Sequence, residues 1–310
     1  MKKKNFKKIL YTIIALIIVV VSVLLKEKLI TIEDVSNENE AMQSVKKDTK
    51  TDGNLYLHFI DVGQADCIYI TDGSNSMLID AGKNDTADMV INYLKEQNVN
   101  TLDYIIATHP HEDHIGGMDE VLNNFKVNKI LMPNKVTTTK TFEKLLIAIK
   151  KNGCEKITPS VGQTYNLGNA NFTVIAPNSD NYEEINNYSI VIKLKYGNNS
   201  FLFTGDAETL SENEILNKGT DIKCDLIKIG HHGSSTSTAL KFLTAIDPKY
   251  AVISVGKNNK YNLPKKTVMD KLKRLGVTVY RTDESGTIIA ISDGNNITFN
   301  KNPGTYSYMK

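Results

Sequence analysis

The chain contains no tryptophan, and its three cysteines, Cys67, Cys154 and Cys224, show no C-x-x-C spacing. An odd, scattered set of thiols excludes a disulfide framework as the basis of the fold; it leaves core thiols, or one bond and a spare thiol. No glycine-rich phosphate loop follows a first strand, so nucleotide-binding folds that depend on one lose their support. No repeat period is present, which excludes solenoids and propellers. Low complexity is confined to the N-terminus. A hydrophobic share of 41% with 23% charged residues then leaves a folded, water-soluble body as the main component.

What is present begins at that N-terminus. Lys2, Lys3, Lys4, Lys7 and Lys8 precede an uncharged run over residues 9–25, and Lys26, Glu27 and Lys28 close it. A basic flank before an apolar run of this length is a signal peptide or a short transmembrane helix. No small-x-small cleavage site follows Leu25 and no cysteine stands there for lipid attachment. An uncleaved transmembrane anchor over residues 1–30 is therefore expected, with a secreted protein as the alternative. Lysine excess ahead of the span predicts a cytoplasmic N-terminus and an extracellular body, held at the cell membrane by a single pass. Residues 31–53 are polar without periodic apolar positions, the pattern of a solvated linker. The folded domain is expected over residues 54–310, a size suited to one two-sheet domain.

Charge is unevenly divided. Residues 222–281 hold twelve Lys or Arg against three Asp, a net +9 within a chain of net +2. A solvated lysine surface is the ordinary explanation for such a block. The functional one is attraction of an anionic substrate, such as DNA or another phosphodiester. No protein partner is indicated.

Leu55, Leu57 and Phe59 alternate with the period of a half-buried strand, and residues 67–70 and 77–79 supply two more around the turn at Asp72 and Gly73. Helical spacing marks residues 85–97 and 139–151. Further strands are predicted at 103–107, 129–132, 172–176, 189–195, 200–204, 225–229, 250–254, 277–280 and 286–291. Helices near 207–217, 237–245 and 265–275 alternate with the later ones. The sum is a layered α/β protein.

Chemistry concentrates at strand ends. His109-Pro-His111-Glu-Asp113-His114 follows the apolar stretch 104–107 and holds half of the six histidines in the chain. Imidazole with carboxylate is a ligand set for zinc-like cations, and also suits manganese or iron. A solvated polar loop does not explain that concentration. Asp80, Asp206 and the pair His231 and His232 each follow another apolar strand. Singly, Asp80 and Asp206 could cap turns; together, four strand ends bearing His or Asp assemble a site along one sheet edge.

The order Asp80, then H-x-H-x-D-H, then Asp206, then His231 resembles the metallo-β-lactamase superfamily. More narrowly, the stretches from His58 to Gln64, His231 to Ser234, Ser254 to Asn259 and Tyr280 to Asp283 resemble the hydrolase domain of ComEC-type competence proteins. The resemblance implies an αββα sandwich with a dinuclear metal site between its sheets. It implies two divalent cations, zinc first and manganese as the alternative. His109 and His111 would hold one, and Asp113, His114 and His231 the other. Asp206 would bridge them, Asp80 would orient a ligand histidine, and Asp113 and Asp206 would share in catalysis. His232 is the alternative to His231. Two positions depart from the family pattern. The stretch 185–189 carries no histidine, leaving water or Asn187 to complete the first metal, and Leu263 stands where relatives place a histidine.

A water activated between two cations needs no serine or cysteine nucleophile. Ser234 lacks an acid–histidine partner, Glu112 is expected to face solvent, and His58 to be a strand residue rather than a ligand. Lys228, His232 and Ser234 are candidates for substrate contact, Lys228 as a cation facing an anionic transition state. The expected function is an extracytoplasmic metal-dependent phosphodiesterase or nuclease. The alternatives are a hydrolase of a lactam, thioester or cell-wall phosphocholine ester, and a degenerate, non-catalytic binding domain.

Overall fold

Alternating Leu55, Leu57 and Phe59 turn to one face of β1 (Leu55–Phe59) and pack between two sheets. β2 (Ile68–Thr71) and β3 (Ser76–Ile79) follow in antiparallel order. β4 (Thr101–Ile106), β5 (Lys126–Leu131) and β6 (Glu155–Ile157) then add in parallel. Parallel neighbours require crossovers, and helices supply them: α1 (Ala87–Glu96), α2 (Glu112–Ile115), α3 (Met118–Asn124) and α4 (Lys140–Asn152). In α4 the Thr139 hydroxyl caps the first turn by accepting from Phe142 N–H, and Gly153 ends the helix at φ 78°. Phe142, Leu145, Ala148 and Ile149 line its buried face. Truncating Leu145 to alanine would cost about 2–5 kcal/mol through the cavity left behind.

The second sheet starts antiparallel with β7 (Thr164–Leu167), β8 (Ala170–Ala176), β9 (Val191–Tyr196) and β10 (Asn199–Phe203). It continues in parallel through β11 (Leu226–Lys228), β12 (Tyr250–Ile253) and β13 (Thr278–Arg281). α5 (Thr209–Asn217), α6 (Leu240–Ile246) and α7 (Lys266–Arg274) cover its outer face. After α8 (Thr282–Ser285), β14 (Ile288–Ser292) and β15 (Ile297–Phe299) return to the first sheet beside β1. Eight strands form one sheet and seven the other. One core lies between the sheets and one under each helical layer, giving an αββα sandwich.

The computed structural model describes residues 53–308. The anchor expected over residues 1–30 and all but the end of the linker lie outside them. Among the described residues no helix is long and apolar enough to cross a membrane. Cys67 and Cys224 are buried free thiols, and Cys154 is a half-buried one. The sequence gives no sign of β6, β7 and β15 because each is short and has at most one buried residue, so no apolar period marks it.

This topology brings the chemistry together. β3 and β4 run parallel in one sheet, and β10, β11 and β12 in the other. The loops leaving their C-terminal ends carry Asp80, residues 108–114, Asp206, the pair 231–232 and Ser254. Parallel strands gather ligand-binding groups at this end, where loops diverge and backbone groups are left to be used.

Candidate metal centre

Three of the site's side chains are set by uncommon backbone. Asp80, His231 and His232 have φ of 58°, 50° and 53°, the left-handed region that residues with a Cβ seldom occupy. Such a conformation costs of order 1–3 kcal/mol and persists only where its surroundings enforce it. At Asp80 the enforcement is visible: its N–H donates to Ile106 O, while its neighbour Ala81 donates to His114 O. The turn after β3 is thereby stitched to the histidine loop after β4. Gly117 lets this happen, because a Cβ there would lie 2.4 Å from the Ala81 carbonyl.

Asp80 is fully buried and accepts three hydrogen bonds, from Thr108 N (2.9 Å), Thr108 Oγ1 (2.7 Å) and His114 Nδ1 (2.7 Å). His114 Nε2 is thus aimed at Asp206, 3.2 Å from its Oδ2. On the other side, His232 Nδ1 lies 3.0 Å from Ser254 O and 3.3 Å from Asp66 Oδ1. Its Nε2 points to Asp113 Oδ2 at 3.5 Å and Asp206 Oδ2 at 3.8 Å. His109 Nε2 lies 3.0 Å from His111 Nδ1, while its Nδ1 faces Ser189 Oγ at 3.3 Å. Three overlapping groups result: His109 with His114 and Asp206, Asp113 with His114 and His232, and Asp66 with Asp80 and His114. His111 joins through His109.

The electrostatics follow from setting three buried carboxylates, Asp66, Asp80 and Asp206, and the half-buried Asp113 among these rings. Burial works against a charged His114, but Asp206 and Asp80 outweigh it and hold its pKa well above the ordinary value. Burial likewise opposes charge on His232, and Asp206 and Asp66 raise it to about 10. Burial would raise Asp206; His114 and His232 instead drive it well below the carboxylate range. His109 is lowered, chiefly by burial. Both upward shifts come from the carboxylates crowded against the rings, a negative field that a divalent cation would neutralise equally well.

Whether the residues fit a cation can be tested on the atoms that remain. His114 Nε2, His232 Nε2 and Asp206 Oδ1 are buried and make no hydrogen bond. The two nitrogens face only carboxylate oxygens, at 3.2 and 3.5 Å, and a buried acceptor left without a donor, as Asp206 Oδ1 is, costs about 1–3 kcal/mol. Each of the two histidines has its other nitrogen fixed from behind by a carboxylate, which is how ligand histidines are held on a metal. The donor set is imidazole nitrogen and carboxylate oxygen, suited to zinc and also to manganese or iron. The residues fit.

A family model for the metallo-β-lactamase superfamily matches residues 60–257. The chain belongs to the metallo-β-lactamase superfamily. Among curated proteins, this member of the superfamily is 35% identical over 200 residues to ComE operon protein 3 of Bacillus subtilis, covering 64% of this chain and 26% of that protein. It is 28% identical over 230 residues to competence protein ComA of Neisseria gonorrhoeae, covering 74% and 31%. The chain thus spans about a quarter to a third of these relatives. Among solved structures, the fold matches the metallo-β-lactamase fold protein YhfI of Bacillus subtilis with a TM-score of 0.51 at 13% identity, covering 74% and 95%.

Several expectations are corrected by the geometry. Of the two histidines that the sequence leaves as alternatives, His232 groups with Asp113 and His114. His231 is more exposed, with Nε2 3.6 Å from Asp206 and Nδ1 turned to Thr236 and Glu208. Asn187 does not complete a metal site, because its Oδ1 accepts from Glu208 N and Ser211 N at the start of α5. Ser189 occupies that space instead, between His109 and the Asp206 N–H. Lys228 does not face substrate: it is fully buried, 2.8 Å from Asp66, and donates to Ile229 O. Ser234 does line the pocket, a cavity of about 400 Å³ walled also by Gln64, His111, Asp113, Asp206 and Lys265. Glu112 is exposed and accepts from Asn84, and His58 bonds Tyr93 Oη away from the cluster. Asp66, the second carboxylate behind a histidine, carries no distinguishing signal in the sequence. It ends a D-V-G-Q-A-D turn, and turn acids are common without any role.

Proposed function

We propose that this protein is a membrane-anchored, extracytoplasmic phosphodiesterase that cleaves nucleic acid with two divalent cations, zinc first and manganese as the alternative. The observation that carries the reading is the group of buried, unbonded His and Asp atoms at the foot of an open pocket whose rim bears Lys265. Two relatives, one named competence protein ComA and one of Haemophilus influenzae named Recombination protein 2, support nucleic acid as the substrate class.

Asp113, His114 and His232 would hold one cation, His109 and His111 the other, with Asp206 between. When bound, such cations lower the pKa of a water towards neutrality and brace the oxygens on which charge develops. The chain's own residues supply the positioning. Asp80 holds His114 in the tautomer that presents Nε2, and Ser254 O with Asp66 does the same for His232. Lys228 neutralises Asp66 from within the core, fixing that carboxylate in place. Ser189 Oγ accepts the Asp206 N–H and steadies that residue. Ser234 and Lys265 line the pocket and would meet the flanking phosphate oxygens of a substrate.

Salt dependence tests the substrate class. Removing one lysine–phosphate pair should reduce the slope of log affinity against log salt by about 0.7 on single strands and about 0.9 on duplex. Lys257→Glu and Lys265→Glu should each flatten that slope in the full chain without removing metal. Cleavage of nitrocefin or a thioester, with no cleavage of any phosphodiester in zinc or manganese, overturns the reading. The location is tested separately: protease added to intact cells should degrade the domain, and full protection there contradicts an outward-facing body.

A further inference from the structure

Tyr261 is the one aromatic side chain among the described residues that is exposed, at 51% of its surface; the other tyrosines and phenylalanines there are buried or half-buried. It stands on the wall of the same pocket as His111, Asp113, Asp206 and His232. A lone exposed apolar residue needs no explanation. A ring held out on a rigid support at the mouth of a chemical site does.

The support is built from within the loop of residues 256–265. Asn259 Nδ2 donates to Gly256 O (2.9 Å) and Leu263 O (2.7 Å), and its Oδ1 accepts from Tyr261 N (3.2 Å) and Leu263 N (3.0 Å). Lys265 Nζ donates to Tyr261 O (2.7 Å). The backbone on both sides of Tyr261 is thereby fixed, and ordering the loop is not a cost that ligand binding must meet. The loop also carries Lys257, Lys260 and Lys265 and no acid. Lys260 Nζ lies 5.2 Å from the Tyr261 ring centroid.

We propose that Tyr261 is a stacking platform for one unpaired base, and that this loop is a subsite for single-stranded nucleic acid whose adjoining phosphodiester lies over the His and Asp cluster. The proposal rests on the phosphodiesterase reading above. Aromatic rings beside lysines are the recurring means of holding single strands, because every base offers a flat face and every nucleotide a charge. Within a duplex those faces are covered by neighbouring pairs, so a ring at a pocket mouth has nothing to stack on. A cavity of about 400 Å³ is of a size to admit a single nucleotide.

The test uses the full chain and a short fluorescein-labelled oligothymidylate, with a duplex of the same length as control. Polarisation is measured in chelator, so that binding is read without turnover. Tyr261→Ala should weaken single-strand binding roughly five- to hundred-fold, Tyr261→Phe should bind like the wild type, and duplex binding should not depend on the ring. With metal restored, Tyr261→Ala should raise KM for the single strand at least five-fold more than KM for bis(p-nitrophenyl) phosphate. Unchanged single-strand binding in Tyr261→Ala overturns the proposal, as does equal loss in both variants. Ring-dependent binding of a cell-wall polysaccharide with none of the oligothymidylate overturns it too. If the wild-type chain turns over neither phosphodiester, the reading of the reaction fails instead, and the binding arm distinguishes that result.

Discussion

Replacing Asp80 with asparagine removes a charge from a fully buried place while keeping the side chain's shape. The carboxylate accepts at both oxygens, and its Oδ2 takes bonds from both Thr108 Oγ1 and His114 Nδ1. Asparagine has a single acceptor oxygen. With that oxygen kept on the Thr108 N–H, the amide nitrogen faces Thr108 Oγ1, which can rotate and accept, and His114 Nδ1. The imidazole must then accept at Nδ1 and carry its proton on Nε2, the atom that a cation needs. Loss of such a carboxylate behind a ligand histidine typically weakens metal binding about 10- to 100-fold, or roughly 1.4–2.7 kcal/mol. Competition against a chromophoric chelator, on protein shown by its circular dichroism melt to be folded, measures the change. A folded Asp80→Asn protein with metal affinity within about twofold of the wild type refutes the tautomer argument and the role given to Asp80.

Three other outcomes follow from the same contacts. His232→Ala should lose at least one bound cation by elemental analysis, whereas His231→Ala should keep full metal stoichiometry; the reverse pattern restores the assignment made from sequence. Lys228→Met removes the ammonium 2.8 Å from buried Asp66, leaving only His232 against that carboxylate, and should cost up to about 3–5 kcal/mol in urea unfolding at neutral pH; a loss under about 1 kcal/mol contradicts the account of that pair. Glu212 is pushed up to about 7 by burial, which outweighs the Ala239 and Thr238 N–H groups it accepts from. Its folded pKa lies above the unfolded value, so this contribution is greatest below about pH 4.5 and falls as pH rises to about 7. In Glu212→Gln that part of the pH dependence should disappear, and a denaturation series showing the same slope in both proteins contradicts it.

Much of the site was legible because its residues follow buried strands. The apolar runs before Asp80, His109, Asp206 and His231 are the inner strands of two sheets, and burial on both faces writes them plainly into the sequence. The residues that hold the ligands in place were harder to see. Asp66 lies in a turn more than forty residues from His114 and far from Lys228 in sequence, and only the approach of the two sheets makes it a partner. Lys228 was misjudged because a lysine at a strand end is usually solvated, while here an internal carboxylate holds it in the core. His231 and His232 could not be separated by strand alternation, since both occupy left-handed backbone beyond the end of β11. The weak edge strands left no pattern, because a strand with one buried side chain carries no period.

Metal content and turnover, measured together on the full chain, test the central claim most directly. Protein purified with zinc or manganese supplied should retain the metal through gel filtration and hydrolyse bis(p-nitrophenyl) phosphate. Chelation should abolish turnover, metal should restore it, and His114→Ala should lose both. A folded wild-type chain that binds neither metal stoichiometrically, or whose phosphodiester turnover survives chelation unchanged, contradicts a metal-dependent hydrolytic site at His109, His111, Asp113, His114, Asp206 and His232.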